Sequence, residues 1–174
     1  MGKNNLLKYQ IKNYMKKCVL MLALVAGMVG GLNAQVKGNA IGLRLTNQAH
    51  GAELSFQAGL GKANRLEIDL GLNHWNDKWD NAYSGYELTG VYQWVWGLNQ
   101  IATGLNWYAG LGATAGTYNS NLGLGFVGQL GLEYNFNIPL QISLDWRPTL
   151  FNSYYNSLGY YNYGGNGLSI RYRF

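Results

Sequence analysis

Residues 65–73 read Arg-Leu-Glu-Ile-Asp-Leu-Gly-Leu-Asn, and this stretch decides the fold class. Every second residue from Leu66 to Leu72 is leucine or isoleucine, while the residues between them are charged, glycine or asparagine. Successive side chains of a β-strand point to opposite faces. The stretch therefore predicts a strand with one apolar face and one charged or small face.

Eight segments share this two-residue alternation, and no segment with the helical period follows residue 34. An even number of antiparallel strands can close into an up-and-down barrel with both chain ends on one side. We expect long external connections at 74–85 and 149–166, and we expect Pro139 and Pro148 to flank the seventh segment. The predicted strands are 38–46, 52–60, 65–73, 86–96, 105–115, 123–134, 140–147 and 167–174.

The N-terminal region has the composition of a secretory signal peptide. Met15, Lys16 and Lys17 precede an apolar run at 18–29, and Ala34 supplies a small residue for cleavage. The run is too short for a spanning helix. We predict a signal peptide at 1–34, with 1–14 as an upstream start extension, and a barrel domain at 35–174; the alternative is an uncleaved anchor.

The remaining chain is electrically balanced, because all eight acidic residues but only eight of the thirteen basic ones lie beyond residue 34. The basic isoelectric point thus comes from the leader and does not indicate nucleic acid. Cys18, the only cysteine, lies at the start of the apolar run rather than after it, so it predicts neither a lipidated residue nor a disulfide. No cofactor is predicted.

The strand charges all lie on the row opposite the apolar residues. A charge on a lipid face costs about 2–4 kcal/mol at mid-membrane, so we expect the apolar row to meet lipid and the charges to fill the interior. The alternative is a soluble calycin-type barrel with the apolar row inside. The predicted interior charges are Arg44, Glu53, Arg65, Glu67, Asp69, Glu87, Glu133, Asp145, Arg147, Arg171 and Arg173.

Aromatic residues are predicted to form two girdles on the lipid face, as a barrel in a bilayer requires. With the first strand running outward, the external girdle contains Tyr86 and Trp146. The periplasmic girdle contains Trp94, Trp96, Trp107, Tyr134, Tyr172 and Phe174.

The last residues alternate as Leu168, Ile170, Tyr172 and Phe174 on one face. This ending is similar to the C-terminal assembly signal of outer-membrane barrels. Over residues 38–174 the chain resembles the small eight-stranded, porin-like barrels of the OmpA/OmpX type. The resemblance implies the outer membrane of a Gram-negative envelope, contact with lipid and lipopolysaccharide, and handling by the secretion, periplasmic chaperone and barrel-assembly machinery.

An eight-stranded lumen is only wide enough for side chains to fill it. We therefore expect the charges to form a salt-bridged plug, and a narrow gated ion channel is the alternative. Inward glycines are expected to leave room for long Arg and Glu side chains; they are Gly110, Gly112, Gly123, Gly125 and Gly131.

Two histidines, His50 and His74, are expected at the external rim, the latter near Asp77 and Asp80. A lipid A acyltransferase or deacylase would use such a histidine with a serine, but no serine lies within a few residues of either one. A metal site formed by His74, Asp77 and Asp80 is a weaker alternative. We predict a barrel that is not an enzyme.

The last connection, residues 151–165, is rich in tyrosine, asparagine, serine and glycine. Such segments suit adaptable contacts with an extracellular protein or glycan. The alternative is that the aromatic side chains rest at the level of the lipid headgroups. The candidate contact residues are Tyr154, Tyr155, Tyr160, Tyr161 and Tyr163. The sequence thus predicts a structural or surface-interaction protein.

Overall fold

The computed structural model describes residues 38–47, 51–76, 82–118, 121–154, 157–159 and 162–174. Among these residues no helix is both long and apolar enough to cross a membrane, a result that does not concern strands. The strands are β1 (Asn39–Thr46), β2 (Ala52–Gly59), β3 (Asn64–Asn76), β4 (Ala82–Gly97), β5 (Leu105–Tyr118), β6 (Asn121–Asn135), β7 (Leu140–Tyr154), β8 (Ser157–Gly159) and β9 (Asn162–Arg173).

Eight of these strands form a closed antiparallel ring. Each of β1 to β7 pairs with the next strand, β9 pairs with β7, and β1 pairs with β9, from Ala40 opposite Arg173 to Thr46 opposite Gly167. The predicted eight-stranded antiparallel barrel is therefore confirmed. The three-residue β8 was not predicted; it pairs only with the end of β7, outside the ring.

The two ends of the barrel differ. One end, the terminal end, holds residue 39, residue 174 and the connections at 60–63, 98–104 and 136–139. Toward the opposite end, the loop end, β3 to β7 run for 13–16 residues, whereas β1 and β2 have 8 each.

The long loop-end connections predicted at 74–85 and 149–166 are too long. The strands continue to Asn76 and Tyr154 and resume at Ala82 and Asn162. Ladder hydrogen bonds join backbone groups only, so a strand can continue where the alternation of side chains has stopped. Side-chain patterning therefore underestimates these hairpins.

Pro148 lies inside β7, and the prediction that it follows the seventh strand is wrong. The registers of β7 with both neighbours shift beside it, between Arg147 and Thr149 toward β9 and between Phe126 and Val127 toward β6. Proline has no N–H to donate to a ladder, and a bulge is a position where a strand tolerates it. Pro139 precedes β7 as expected.

The buried core is the lumen of the barrel, and most of it is polar. Its apolar members are few: Ala40, Val91, Val95, Tyr108 and Val127. The other buried side chains are charged residues, amides and hydroxyls of the inward rows. Buried polar groups of this kind are stable only when they are hydrogen-bonded to one another, so the lumen is where the chemistry of this protein has to be sought.

Candidate functional site

Nine of the eleven predicted interior charges are buried together in the lumen. The other two lie apart: Glu87 is half-buried, and Arg173 is partly exposed at the terminal end. The nine are Arg44, Glu53, Arg65, Glu67, Asp69, Glu133, Asp145, Arg147 and Arg171.

Seven of these residues form the central cluster: Arg44, Glu53, Glu67, Asp69, Asp145, Arg147 and Arg171. Arg44 on β1 holds two carboxylates at once. Its Nη2 lies 2.6 Å from Oδ1 of Asp145, its Nε also donates to that carboxylate, and its Nη1 lies 3.0 Å from Oε2 of Glu53. Such paired donation by one guanidinium is the strongest form of ionic hydrogen bond in proteins.

Arg147 on β7 joins the carboxylates of β2 and β3. Its Nη1 lies 3.3 Å from Oε2 of Glu53, and its Nη2 lies 2.7 Å from Oε1 of Glu67 and also contacts Oδ2 of Asp69. Arg171 on β9 completes the cluster, with Nη2 at 3.0 Å from Oε2 of Glu67. The cluster thus connects five strands of the ring.

A second ionic pair lies nearer the terminal end. Nη1 of Arg65 lies 2.5 Å from Oε2 of Glu133, and the Arg65 guanidinium carbon lies 4.9 Å from the centre of the Tyr108 ring. Asn106 and Gln141 donate to the Glu133 carboxylate at 3.0 and 3.2 Å. This pair has a cation–π contact beneath it and amide donors around it.

Two glutamines join the pair to the central cluster. Nε of Arg65 donates to Gln93 (2.5 Å), Gln93 Nε2 donates to Gln129 (2.7 Å), and Gln129 Nε2 donates to Oε1 of Glu67 (3.0 Å). An amide both donates and accepts, so it can pass a chain of hydrogen bonds from a cation to an anion. The sequence shows that Gln93 and Gln129 lie on the inward rows, but it does not show that these two glutamines bridge the ionic pair and the central cluster.

The predicted use of the inward glycines is wrong for Gly131. A Cβ at Gly131 would strike the end of the Tyr108 ring, so this glycine makes room for a tyrosine rather than for Arg or Glu. The guanidinium of Arg44 instead occupies the space above Gly167 on β9. The sequence shows which glycines point inward, but it does not show which side chain reaches over each of them.

Gly131→Ala is expected to lower the free energy of unfolding by about 1–3 kcal/mol, because an added methyl group overpacks a filled interior. Gly90→Ala is the matched control, since a Cβ at Gly90 has open space around it. Chemical denaturation of both refolded variants measures the difference. Equal stabilities would contradict the packing of Tyr108 over Gly131.

Arg173 acts at the rim rather than in the cluster. Its Nη2 donates to the backbone carbonyls of Phe136 and Ile138, at 2.6 and 2.9 Å, and so ties β9 to the β6–β7 connection. The four residues of the predicted assembly signal, Leu168, Ile170, Tyr172 and Phe174, point outward and are each more than half exposed. Their part in assembly stays a prediction.

The outer surface of the ring is apolar along the strands. Many of its aliphatic side chains are 37–61% exposed, and the charged row is buried behind them. A water-soluble monomer rarely exposes apolar patches beyond a few hundred Å². The exposed residues include Ile41, Leu43, Leu54, Ile68, Leu70, Leu88, Leu111, Leu130, Leu144 and Ile170.

The chain is a transmembrane β-barrel. The soluble calycin-type alternative is wrong, because it requires the apolar row inside. No protein-family model matches the sequence, and no curated protein matches it. Among solved structures, the chain is similar to the outer membrane protein Ail of Yersinia pestis, determined in a phospholipid bilayer nanodisc. The identity is 15%, the TM-score is 0.46, and the match covers 79% of this chain and 97% of that one.

Aromatic residues of the outer face gather at the terminal end. Trp96 and Trp107 stack with ring centres 4.2 Å apart, and Tyr172 and Phe174 stack at 6.4 Å. The predicted place of Trp146 in the opposite girdle stays a prediction: β7 continues beyond it to Tyr154, and Trp146 pairs with Asn166, next to the residue that pairs with the end of β1.

The rim candidates are only partly described. The backbone of His74 lies on β3 opposite Ser84 rather than in a loop, Tyr154 ends β7, and Tyr163 lies on β9. Within the described ranges no group of three or more His, Cys, Asp and Glu side chains could hold a metal ion. The signal peptide, His50, Asp77, Asp80, Tyr155, Tyr160 and Tyr161 lie outside the described residues.

Proposed function

We propose that this protein is an integral outer-membrane barrel whose lumen is closed by its own charge network. In this proposal it serves a structural or surface-contact role and is not an enzyme. The observation that carries the proposal is the unbroken hydrogen-bonded path from Glu133 through Arg65, Gln93 and Gln129 to Glu67. Every strand of the ring contributes a side chain to this path, to its partners or to the central cluster.

The energetics favour a closed lumen over an ion path. Moving a charge out of water costs several kcal/mol unless paired groups compensate. A conducting filter has to bind an ion weakly enough to release it. Here the guanidiniums and carboxylates already compensate one another. Arg44 lies 2.6–3.0 Å from Asp145 and Glu53, and Arg147 lies 2.7–3.3 Å from Glu67 and Glu53. A permeating ion would have to break several of these pairs at once.

The outer-membrane location is part of the same proposal. It is supported by the apolar outer face, by the composition of residues 15–34, which is that of a signal peptide, and by the outward alternation of Leu168, Ile170, Tyr172 and Phe174. The membrane lipid and lipopolysaccharide would then contact the aliphatic side chains. The secretion, chaperone and barrel-assembly machinery would act before the barrel is inserted.

Conductance across a planar bilayer tests the closed lumen. We expect the refolded wild-type chain, shown to be inserted by protease protection, to produce no discrete openings. Glu133→Gln should stay silent as well, because the central cluster still closes the lumen. Openings in the wild type whose size changes in Arg147→Gln would overturn the proposal and make the barrel an ion channel.

The surface-contact role rests on the loop end. There β3 to β7 extend beyond β1 and β2, and the tyrosine-rich segment 151–165 includes the end of β7, all of β8 and the start of β9. Tyrosine, serine, glycine and asparagine supply rigid contact area and adaptable hydrogen bonds, which suits an extracellular protein or glycan. A silent bilayer would direct the search for function to this segment.

A further inference from the structure

The buried charges of the lumen do not balance. Among the residues that the structure describes, four arginines and five carboxylates are buried in the lumen. Arg65 and Glu133 neutralise each other, so the surplus lies in the central cluster, which has three guanidiniums and four carboxylates. A buried charge without a counterpart is costly enough that it is normally neutralised. One positive charge is therefore missing from the cluster.

The hydrogen bonds show which carboxylate carries the surplus. Glu67 accepts at both oxygens: Arg147 and Gln129 donate to Oε1, and Arg171 and Gln57 donate to Oε2. Both oxygens of Asp145 accept from Arg44. Oδ1 of Asp69, in contrast, is shielded from solvent and receives no hydrogen bond.

The groups around Asp69 leave this oxygen without a donor. Arg147 on β7 donates to Oδ2, and it shares that Nη2 with Glu67. Ser55 on β2 is hydrogen-bonded to Asp69, and Glu67 and Arg171 are the other charges that act on it. On β4, Thr89 lies opposite Asp69, but its hydroxyl donates to Thr114 instead.

The remaining charges near Asp69 lie on residues that pair with neighbouring positions of β3 or flank Arg147 on β7. Glu53 on β2 and Glu87 on β4 both pair in register with Gly71, two residues further along β3. On β7, Asp145 is two residues before Arg147, and Arg44 of β1 is bound to it. These neighbours add three further carboxylates near Asp69, and the guanidinium among them, that of Arg44, already binds Asp145 and Glu53.

We propose that Asp69 is a proton-binding site of the lumen. The carboxylate takes one proton from water as the barrel forms and becomes a neutral carboxylic acid. This removes the surplus charge from the cluster, and it is consistent with an Asp69 oxygen that is shielded from solvent and receives no hydrogen bond. The proposal goes beyond the closed barrel and does not depend on whether the lumen conducts.

Asp69→Asn tests the site, because asparagine is neutral and places an amide where the acid would stand. An unfolded aspartate loses its proton above about pH 4, whereas the folded barrel keeps it. Folding of the wild type should therefore weaken as pH rises from about 4 toward neutral pH, by up to tenfold in the folding equilibrium constant per pH unit. Asp69→Asn should flatten this dependence and fold at least as tightly as the wild type at the upper pH.

Glu67→Gln is the matched control. It also removes one negative charge from β3, but it does so from a carboxylate with four donors, two of them guanidiniums. This variant should fold less tightly than the wild type across the pH range. A weaker Asp69→Asn barrel with a pH profile parallel to the wild type would overturn the proposal, since Asp69 would then be an ordinary ionised partner of Arg147.

Infrared spectroscopy provides a readout that needs no variant to be stable. The folded wild type at neutral pH should show the carbonyl band of a protonated carboxylic acid, shifted in D₂O, which Asp69→Asn removes. Glu67→Gln should remove the band as well, because it leaves three guanidiniums facing three carboxylates in the central cluster. Absence of the band would refute the proposal. A stability that depends on sodium in place of choline, without this band, would also refute it and assign an alkali cation.

Discussion

Arg147→Ala is expected to lower the free energy of unfolding by about 3–5 kcal/mol, the cost of leaving buried charges without their partner. Among the described residues, Arg147 is the one side chain that contacts Glu53, Glu67 and Asp69 together. Removing it leaves three guanidiniums facing five carboxylates among the described buried residues of the lumen. Unfolding by denaturant in lipid vesicles, followed by the fluorescence of the six tryptophans, measures the change.

Arg173→Ala is the control for this prediction. Arg173 has the same side chain, but it donates to backbone carbonyls at the partly exposed rim, where water replaces it, so its loss should cost about 1 kcal/mol. Equal losses in the two variants would show that the central cluster contributes no more to stability than a rim contact.

Leu43→Arg is expected to cost about 2–4 kcal/mol when the barrel is folded in a bilayer, because a cation would face hydrocarbon. Leu43 lies in the middle of β1 between Leu54 and Ile170, and half of its side chain is exposed. On a water-facing surface the same change would stay within about 0.5 kcal/mol. The refolding yield and the unfolding free energy in vesicles distinguish the two environments.

Leu60→Arg serves as the matched control. Leu60 is as exposed as Leu43, but it lies in the connection at the terminal end, where a charged side chain should cost about 0–1 kcal/mol. A small effect at both positions would contradict a membrane-spanning outer face. A large effect at both would place the terminal end inside the hydrocarbon.

The strands and their inner and outer faces could be predicted from the sequence with little error. The alternation in residues 65–73 assigned Glu67 and Asp69 to the inside and Leu66 to the outside, and each is found there. The limits of the strands could not be predicted as well. Pro148 looked like the end of β7, because the bulge that accommodates it forms only when both neighbouring strands are present.

The sequence could not predict which side chains pair with one another in the lumen. Arg44 and Asp145 are 101 residues apart in the chain, and only the closure of the ring through β9 brings them to 2.6 Å. The same holds for Tyr108 over Gly131 and for the glutamine bridge. Each of these contacts depends on the register between strands. The alternation of residues within a single strand carries no information about that register.

The sequence by itself determined the class of the barrel, its strand count and the side on which each charge lies, because the direction of a side chain follows from local backbone geometry. Only the tertiary structure decided which charges meet, which glycine faces which ring, and that Asp69 is left with an oxygen that nothing donates to. Those features arise from the registers of a closed ring, and register is a property of pairs of strands.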